Sequence, residues 1–171
     1  MANRLAAGDL TMLRRAGLVH GLGRLGVSNS IWDKRGPLGA GEWERVRMQP
    51  YLTERMLHQS PPLAPLGVVA VQFRERLDGS GYPRGLKGEQ IPLGARIFTI
   101  ADSLDAMISD RPYRRALPMS HAREEIRRCS GSQFDPQVVD VFMSIPEQHW
   151  LELRENLGSP FRLAHLKNLQ V

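Results

Sequence analysis

A single cysteine, Cys129, stands in 171 residues. That excludes an internal disulfide and a multi-cysteine metal centre, and it fits a reducing compartment. No apolar run approaches the ~20 residues that cross a bilayer, and no hydrophobic signal core follows Met1-Ala2-Asn3-Arg4, so a cytoplasmic protein with no membrane segment is expected. Period-two alternation is nowhere sustained, and there is no internal repeat or low-complexity run; the expectation is an all-α fold. Lysine is scarce, since 20 of the 23 basic residues are arginine. The formal charge of +5 favours anionic partners. Because the basic residues are scattered rather than clustered with aromatics, nucleic-acid binding is disfavoured. No Ser-His-Asp or Cys-His pattern suggests a nucleophilic mechanism.

The composition is that of a globular chain: 42% hydrophobic and 24% charged residues, enough for one domain with a real core. Leu10, Leu13, Leu18 and Val19 predict a helix over residues 10–20, with Asp9 as its N-cap and Gly21 as its stop. Helices are expected over 41–48 and from Pro50 to about residue 58, the latter with Leu52, Met56 and Leu57 inward. Pro61-Pro62 opens a further predicted helix, whose apolar face is Leu63, Leu66, Val69, Ala70 and Phe73. Another is predicted from Pro92 to Met107, with Ile97, Ile100, Ala101 and Leu104 buried and Asp102 and Asp105 a turn apart. Three more are expected: one capped by Ser120, one capped by Asp135 before Pro136, and one starting at Pro146-Glu147. Residues 1–157 read as one domain, and 158–171 as a Leu-rich tail or extra helix.

Between two of these helices lies a glycine-rich stretch, residues 75–88. Its glycines and Pro83 cannot continue a helix, because glycine loses too much backbone entropy and proline lacks the donor. Arg76, Asp78, Tyr82, Arg84 and Lys87 are interleaved through it, which suits a loop that meets a polar ligand; a simple surface turn is the bland alternative.

Five separated motifs now fall in one order: His20-Gly21-Leu22-Gly23-Arg24; Asp78-Gly79-Ser80-Gly81-Tyr82-Pro83; Ala101-Asp102-Ser103-Leu104-Asp105-Ala106; Arg111-Pro112-Tyr113-Arg114; and Phe134-Asp135-Pro136. In order and spacing the chain resembles the HD-GYP family, the helical metal-dependent phosphohydrolases that cleave cyclic di-GMP. The resemblance runs from about residue 13 to 145 and rests on several motifs together, where a lone Gly-Tyr-Pro would be weak. It implies an HD-domain-like helical bundle with a Gly-Tyr-Pro loop, a site of two or three metal ions such as iron or manganese, and a role in bacterial signalling.

Phosphodiester cleavage by such a site needs metal ions that generate hydroxide and neutralise phosphate, so histidines and carboxylates must converge from several helices. Carried over position by position, the paired His-Asp becomes His20-Gly21, which keeps the imidazole and loses the bridging carboxylate. The following lysine becomes Arg24. The family histidine before a proline is replaced by Gln49, and the consecutive histidines before the Glu-Arg pair are replaced by Phe73 and Arg74. Of this ligand set His20 and Asp102 remain, so no cofactor is expected unless the copy is active. If Arg74 faces the cavity, its guanidinium would neutralise Asp102 in place of a metal; swung out to solvent, it would not.

The resemblance also implies nucleotide-facing or protein-contacting roles for Arg24, Gly81, Tyr82, Pro83, Arg111 and Arg114. Guanidinium groups bind phosphate bidentately, and Tyr82 could stack on guanine. The alternative is that the arginines pair with Asp78, Asp102 and Asp105 as structure. His58, His121, His149 and His165 share no ligand spacing, and Trp32, Trp43 and Trp150 read as packing residues. Relatives have further helices ahead of the His-Asp pair, so a fragment of a longer protein, or a face covered by a partner or second copy, is expected. Two readings follow: a non-catalytic module that senses cyclic di-GMP or a related nucleotide or binds a signalling protein, and, as the alternative, an active metal-dependent cyclic di-GMP phosphodiesterase.

Overall fold

Prolines and glycines punctuate this chain, and the helices lie between them. The computed structural model describes residues 7–111 and 114–158. The helices are α1 (Ala7–Val19), α2 (Asn29–Trp32), α3 (Ala40–Arg47), α4 (Gln49–His58), α5 (Gly67–Ala70), α6 (Leu93–Ile108), α7 (Met119–Arg128), α8 (Pro136–Ser144) and α9 (Glu147–Gly158). Short 3-10 turns cover Leu22–Gly26, Ala64–Leu66 and Gly88–Gln90. Among the described residues there is no β-strand, only two isolated bridges, so the fold is all-α.

Starts follow the local chemistry. The Glu42 carboxylate accepts the Gly39 amide at 2.6 Å and so satisfies an open donor at the head of α3. Pro50 occupies the first turn of α4, where its missing donor costs nothing. Asp135 caps α8, its carboxylate accepting the Gln137 amide at 2.8 Å. Other expectations are corrected. Helix α1 begins at Ala7, so Asp9 lies in its first turn rather than at its cap. Helix α7 begins after Pro118, so Ser120 is inside it. The helix predicted from Pro61 is broken into a turn, a 3-10 turn and the four residues of α5, because Pro65 removes a donor and Gly67 loosens the backbone. Leu66, Val69, Ala70 and Phe73 are nevertheless buried, and Leu63 is not.

Three apolar clusters hold the helices together. Ala16 of α1, Leu57 of α4, Leu66, and Val69 and Ala70 of α5 form one. Val27, Ile31 and Val46 form a second, under α2 and α3. The third joins Ile100, Leu104 and Ile108 of α6 with Met119, Ala122 and Ile126 of α7, Phe134, and Val139 and Phe142 of α8. The inward faces differ in detail from expectation. On α4 the buried residues are Gln49, Pro50, Thr53 and Leu57 while Met56 is exposed, and on α6 Ala101 is exposed while Ala95 and Thr99 are buried. Helix α6 thus spans from the third cluster back to α1 and α5, which pack on it.

Arginines close several helix ends. Arg114 donates to Met107 O at 3.2 Å and Ala106 O at 2.8 Å at the end of α6. Arg123 donates to Met143 O at 2.9 Å and Ile145 O at 3.0 Å at the end of α8. Each planar fork satisfies two last-turn carbonyls and sits where the helix dipole is negative. Part of the arginine surplus is therefore structural. Pro112, Tyr113 and residues 159–171, including His165 and most of the expected C-terminal tail, lie outside the described residues.

Candidate functional site

Where α1 ends, His20 turns its ring toward α6. Its Nδ1 lies 2.6 Å from Gly17 O, which makes that nitrogen the N–H donor. The ring meets Phe73 edge-on with centroids 5.2 Å apart, and Phe98 edge-on at 5.0 Å. Phe73 and Phe98 themselves sit 5.6 Å apart, so three rings close on one another, a favoured aromatic arrangement. His20 Nε2 lies 4.0 Å from Asp102 Oδ1, too far for a hydrogen bond.

Arg74 faces this cavity. Its Nη1 is 3.2 Å from Asp102 Oδ2, and its guanidinium carbon lies 4.7 Å over the Phe73 ring. Asp102 is 17% exposed and Arg74 39%, so solvent reaches the pair from the arginine side. Asp102 Oδ2 and Arg74 Nε are buried and make no hydrogen bond, so charge attraction rather than aligned donation holds the contact. The pair therefore adds little to stability, yet it places a fixed cation against the carboxylate.

Gln49, which the resemblance sets at a ligand position, lies in packing. Gln49 is 5% exposed. Its backbone carbonyl accepts from the Thr53 hydroxyl at 3.1 Å, and that hydroxyl in turn receives the Gly23 amide at 2.9 Å. A Cβ on Gly23 would lie 2.0 Å from Gln49 O, so glycine is obligatory where this turn crosses α4. Gly21, by contrast, has nothing within 4 Å of a built Cβ. Among the described residues no group of three or more His, Cys, Asp and Glu side chains could hold a metal ion. The donor set does not fit one either: a guanidinium faces the Asp102 carboxylate, and phenyl rings flank the His20 imidazole.

The Gly-Tyr-Pro loop is built around Glu75, a residue that sequence reasoning passed over. Glu75 is 1% exposed, and its carboxylate accepts the amides of Arg84 at 2.7 Å and Leu86 at 2.9 Å. The loop is also tied to the α7–α8 connection, since the Leu77 amide donates to Gln133 O at 3.2 Å and the Asp78 amide to Ser132 O at 2.9 Å. Gly81 packs against the chain before it: a Cβ there would lie 2.4 Å from Arg76 N and 2.5 Å from Arg74 O. Tyr82 then donates its amide to Arg74 O at 3.1 Å, and the Tyr82–Pro83 peptide is cis. Ser80 donates to Asp78 through hydroxyl and amide, which holds the Asp78 carboxyl below the usual aspartate range.

Tyr82 is half-buried, and desolvation raises its phenol above the ordinary value; Arg74 and Arg47 oppose the shift and Asp102 adds to it. The loop thus stands within electrostatic reach of the Arg74–Asp102 pair. The remaining expected nucleotide-facing groups are held locally. Arg24 stacks 4.3 Å over Trp32. Arg111 reaches Asp105 at 3.7 Å, and Arg111 and Arg114 exchange backbone hydrogen bonds at 2.8 and 3.1 Å. Two signals were present in the sequence and unused: Phe98 lies four residues before Asp102, on the same face of α6, and Glu75 directly follows Phe73 and Arg74.

The HD domain family matches residues 1–138. The chain is 42% identical over 139 residues to the 3'3'-cGAMP-specific phosphodiesterase 3 of Vibrio cholerae, covering 80% of this chain and 30% of that protein. It is 38% identical over 141 residues to a cyclic di-GMP phosphodiesterase of Thermotoga maritima, covering 81% and 38%. The chain spans about a third of the length of these curated relatives. A crystal structure of a cyclic GMP-AMP specific phosphodiesterase of V. cholerae shares the fold, with a TM-score of 0.62 at 19% identity, over 96% of this chain and 44% of that one. The ordered motifs, the loop and these relatives agree: the chain belongs to the HD domain family and, within it, is an HD-GYP domain homologous to cyclic di-GMP and cGAMP phosphodiesterases.

Proposed function

We propose that this chain is a non-catalytic HD-GYP domain that recognises a cyclic dinucleotide or a signalling partner without cleaving a phosphodiester. The observation that carries the reading is the 3.2 Å contact between Arg74 and Asp102 beside the His20–Phe73–Phe98 ring cluster. Metal-assisted hydrolysis needs a Lewis acid at the carboxylate and a water nucleophile beside the phosphate. Here the carboxylate faces a guanidinium, which cannot deprotonate and cannot bind water as a ligand. The imidazole keeps one nitrogen on Gly17 O and its ring faces between two phenyl rings.

What the chain retains suits recognition. Glu75 and Gly81 fix the Gly-Tyr-Pro loop from within, and Tyr82 stands near the charges of Arg74 and Asp102 and of Arg47 on α3. Incubating the protein with cyclic di-GMP and manganese or ferrous iron, then separating nucleotides by chromatography, tests the reading. Intact substrate is expected. Turnover that disappears in Asp102→Ala would overturn it in favour of an active phosphodiesterase.

A further inference from the structure

Met48, with φ -72° and ψ -16°, carries the chain from α3 into α4 without leaving helical backbone. Val46, Gln49, Thr53 and Leu57 are buried at steps of three or four residues, so the two helices turn one continuous face to the core. The opposite face carries Glu44, Arg47, Met48, Tyr51 and Arg55, with Trp43 at its edge. Large apolar side chains lie open on it: Trp43 is 48% exposed, Met48 45% and Tyr51 44%. Trp, Tyr and Arg are the residue types that carry most of the binding energy in protein interfaces. The charged groups of this face are loosely held by their own chain. Glu44 and Arg47 stand 3.6 Å apart with both side chains more than half exposed, and Arg55 lies 6.0 Å from the centre of the Tyr51 ring, the outer limit of a cation–π contact.

We infer that this face pairs with the same face of a second copy of the chain, antiparallel about a two-fold axis between Met48 and Tyr51. Glu44 stands four residues before Met48, and Arg55 four after Tyr51. The axis that sets Met48 against Tyr51 of the second copy therefore also sets Glu44 against its Arg55. Symmetry makes each contact twice, as an isologous interface requires. Arg47 then lies beside Tyr51 of the second copy and Trp43 beside its Arg55, both of them cation–π pairings. A parallel arrangement would instead bring Arg47 onto Arg47 and Arg55 onto Arg55. The chain's formal charge of +5 makes such unmatched orientations repulsive. An acidic peptide on the same face would meet like charge at Glu44, whereas a second copy gives Glu44 and both arginines a partner. The helical stretch 40–58 is about 28 Å long, so one helix pair buries less than a standard interface and the dimer is of the weak, transient class. The pairing needs no nucleotide, and it stands whether or not the domain cleaves one.

The test is sedimentation velocity on the full chain, without nucleotide, from about 5 to 500 µM, the range in which so small an interface associates. A monomer–dimer equilibrium is expected within that range. Glu44→Arg and Arg55→Glu each turn two attractive contacts into repulsive ones and should weaken the dimer about tenfold or more. The double variant carrying both changes restores opposite charges across the axis and should recover the wild-type equilibrium. Tyr51→Asp, which places two carboxylates near the axis, should leave the chain monomeric. All these side chains except Tyr51 are charged and exposed, and circular dichroism of each variant should match the wild type. A monomer at every concentration, a dimer unmoved by either single change, or a double variant no better than the singles would overturn the inference.

Discussion

Replacing Glu75 by Gln changes one oxygen to an amino group in a side chain that is 1% exposed. In the native loop both carboxylate oxygens receive an amide, from Arg84 at 2.7 Å and Leu86 at 2.9 Å. A hydrogen bond to a charged acceptor contributes about 1.5–3 kcal/mol, and an orphaned buried donor costs a similar amount. Gln keeps one neutral acceptor and turns an N–H toward the other donor. One bond is weakened and one becomes repulsive, so the net loss is about 3 kcal/mol. For a domain of this size that lowers the melting temperature by about 6–12 °C. Thermal and urea unfolding followed by circular dichroism give the number, and trypsin cleavage after Arg84 or Lys87 reports the loop directly. A loss under about 0.5 kcal/mol, the range of an ordinary surface substitution, with unchanged cleavage, would refute Glu75 as the organiser of the loop.

Two glycines of the His20–Arg24 motif separate cleanly. Gly23→Ala puts a Cβ 2.0 Å from Gln49 O and is expected to cost about 3 kcal/mol, whereas Gly21→Asp enters open space and should stay within about 0.5 kcal/mol in the same unfolding assay. Similar effects from the two would contradict the packing of this turn on α4. The Cys129 thiol is raised above its ordinary value, first by burial and then by the Glu125 charge. Its alkylation by iodoacetamide should therefore rise with a midpoint above the ~8.5 of a free cysteine, because the reactive thiolate appears only above the raised pKa. A midpoint at or below that value would contradict the environment assigned to it.

Helix boundaries were legible where proline fixed them, at Pro50, Pro92 and Pro136, because a residue without a donor is tolerated chiefly in a first turn. The same rule misplaced the Pro61 segment: its apolar spacing was right, but Pro65 and Gly67 break the helix that the spacing suggested. Ser120 was the better cap by side chain and lost to Pro118, two residues earlier, which set the backbone. In the site, the resemblance left two orientations open for Arg74, toward Asp102 or out to solvent; in the fold its guanidinium lies over the Phe73 ring and against Asp102. Arginine roles were the least legible. Arg114 and Arg123 reach carbonyls at helix ends that only the folded chain brings within range. Trp43 read as a packing residue, yet it is 48% exposed on α3, because residue type alone does not say whether an aromatic faces core or solvent.

On the proposed reading, Arg74 stands where a catalytic metal ion would be needed. Metal analysis of the full chain, expressed and purified with manganese and iron supplied and then desalted, tests it most directly. No iron, manganese or zinc approaching one ion per chain is expected, in the wild type and in Asp102→Ala alike. Near-stoichiometric metal in the wild type that is lost in Asp102→Ala would contradict it.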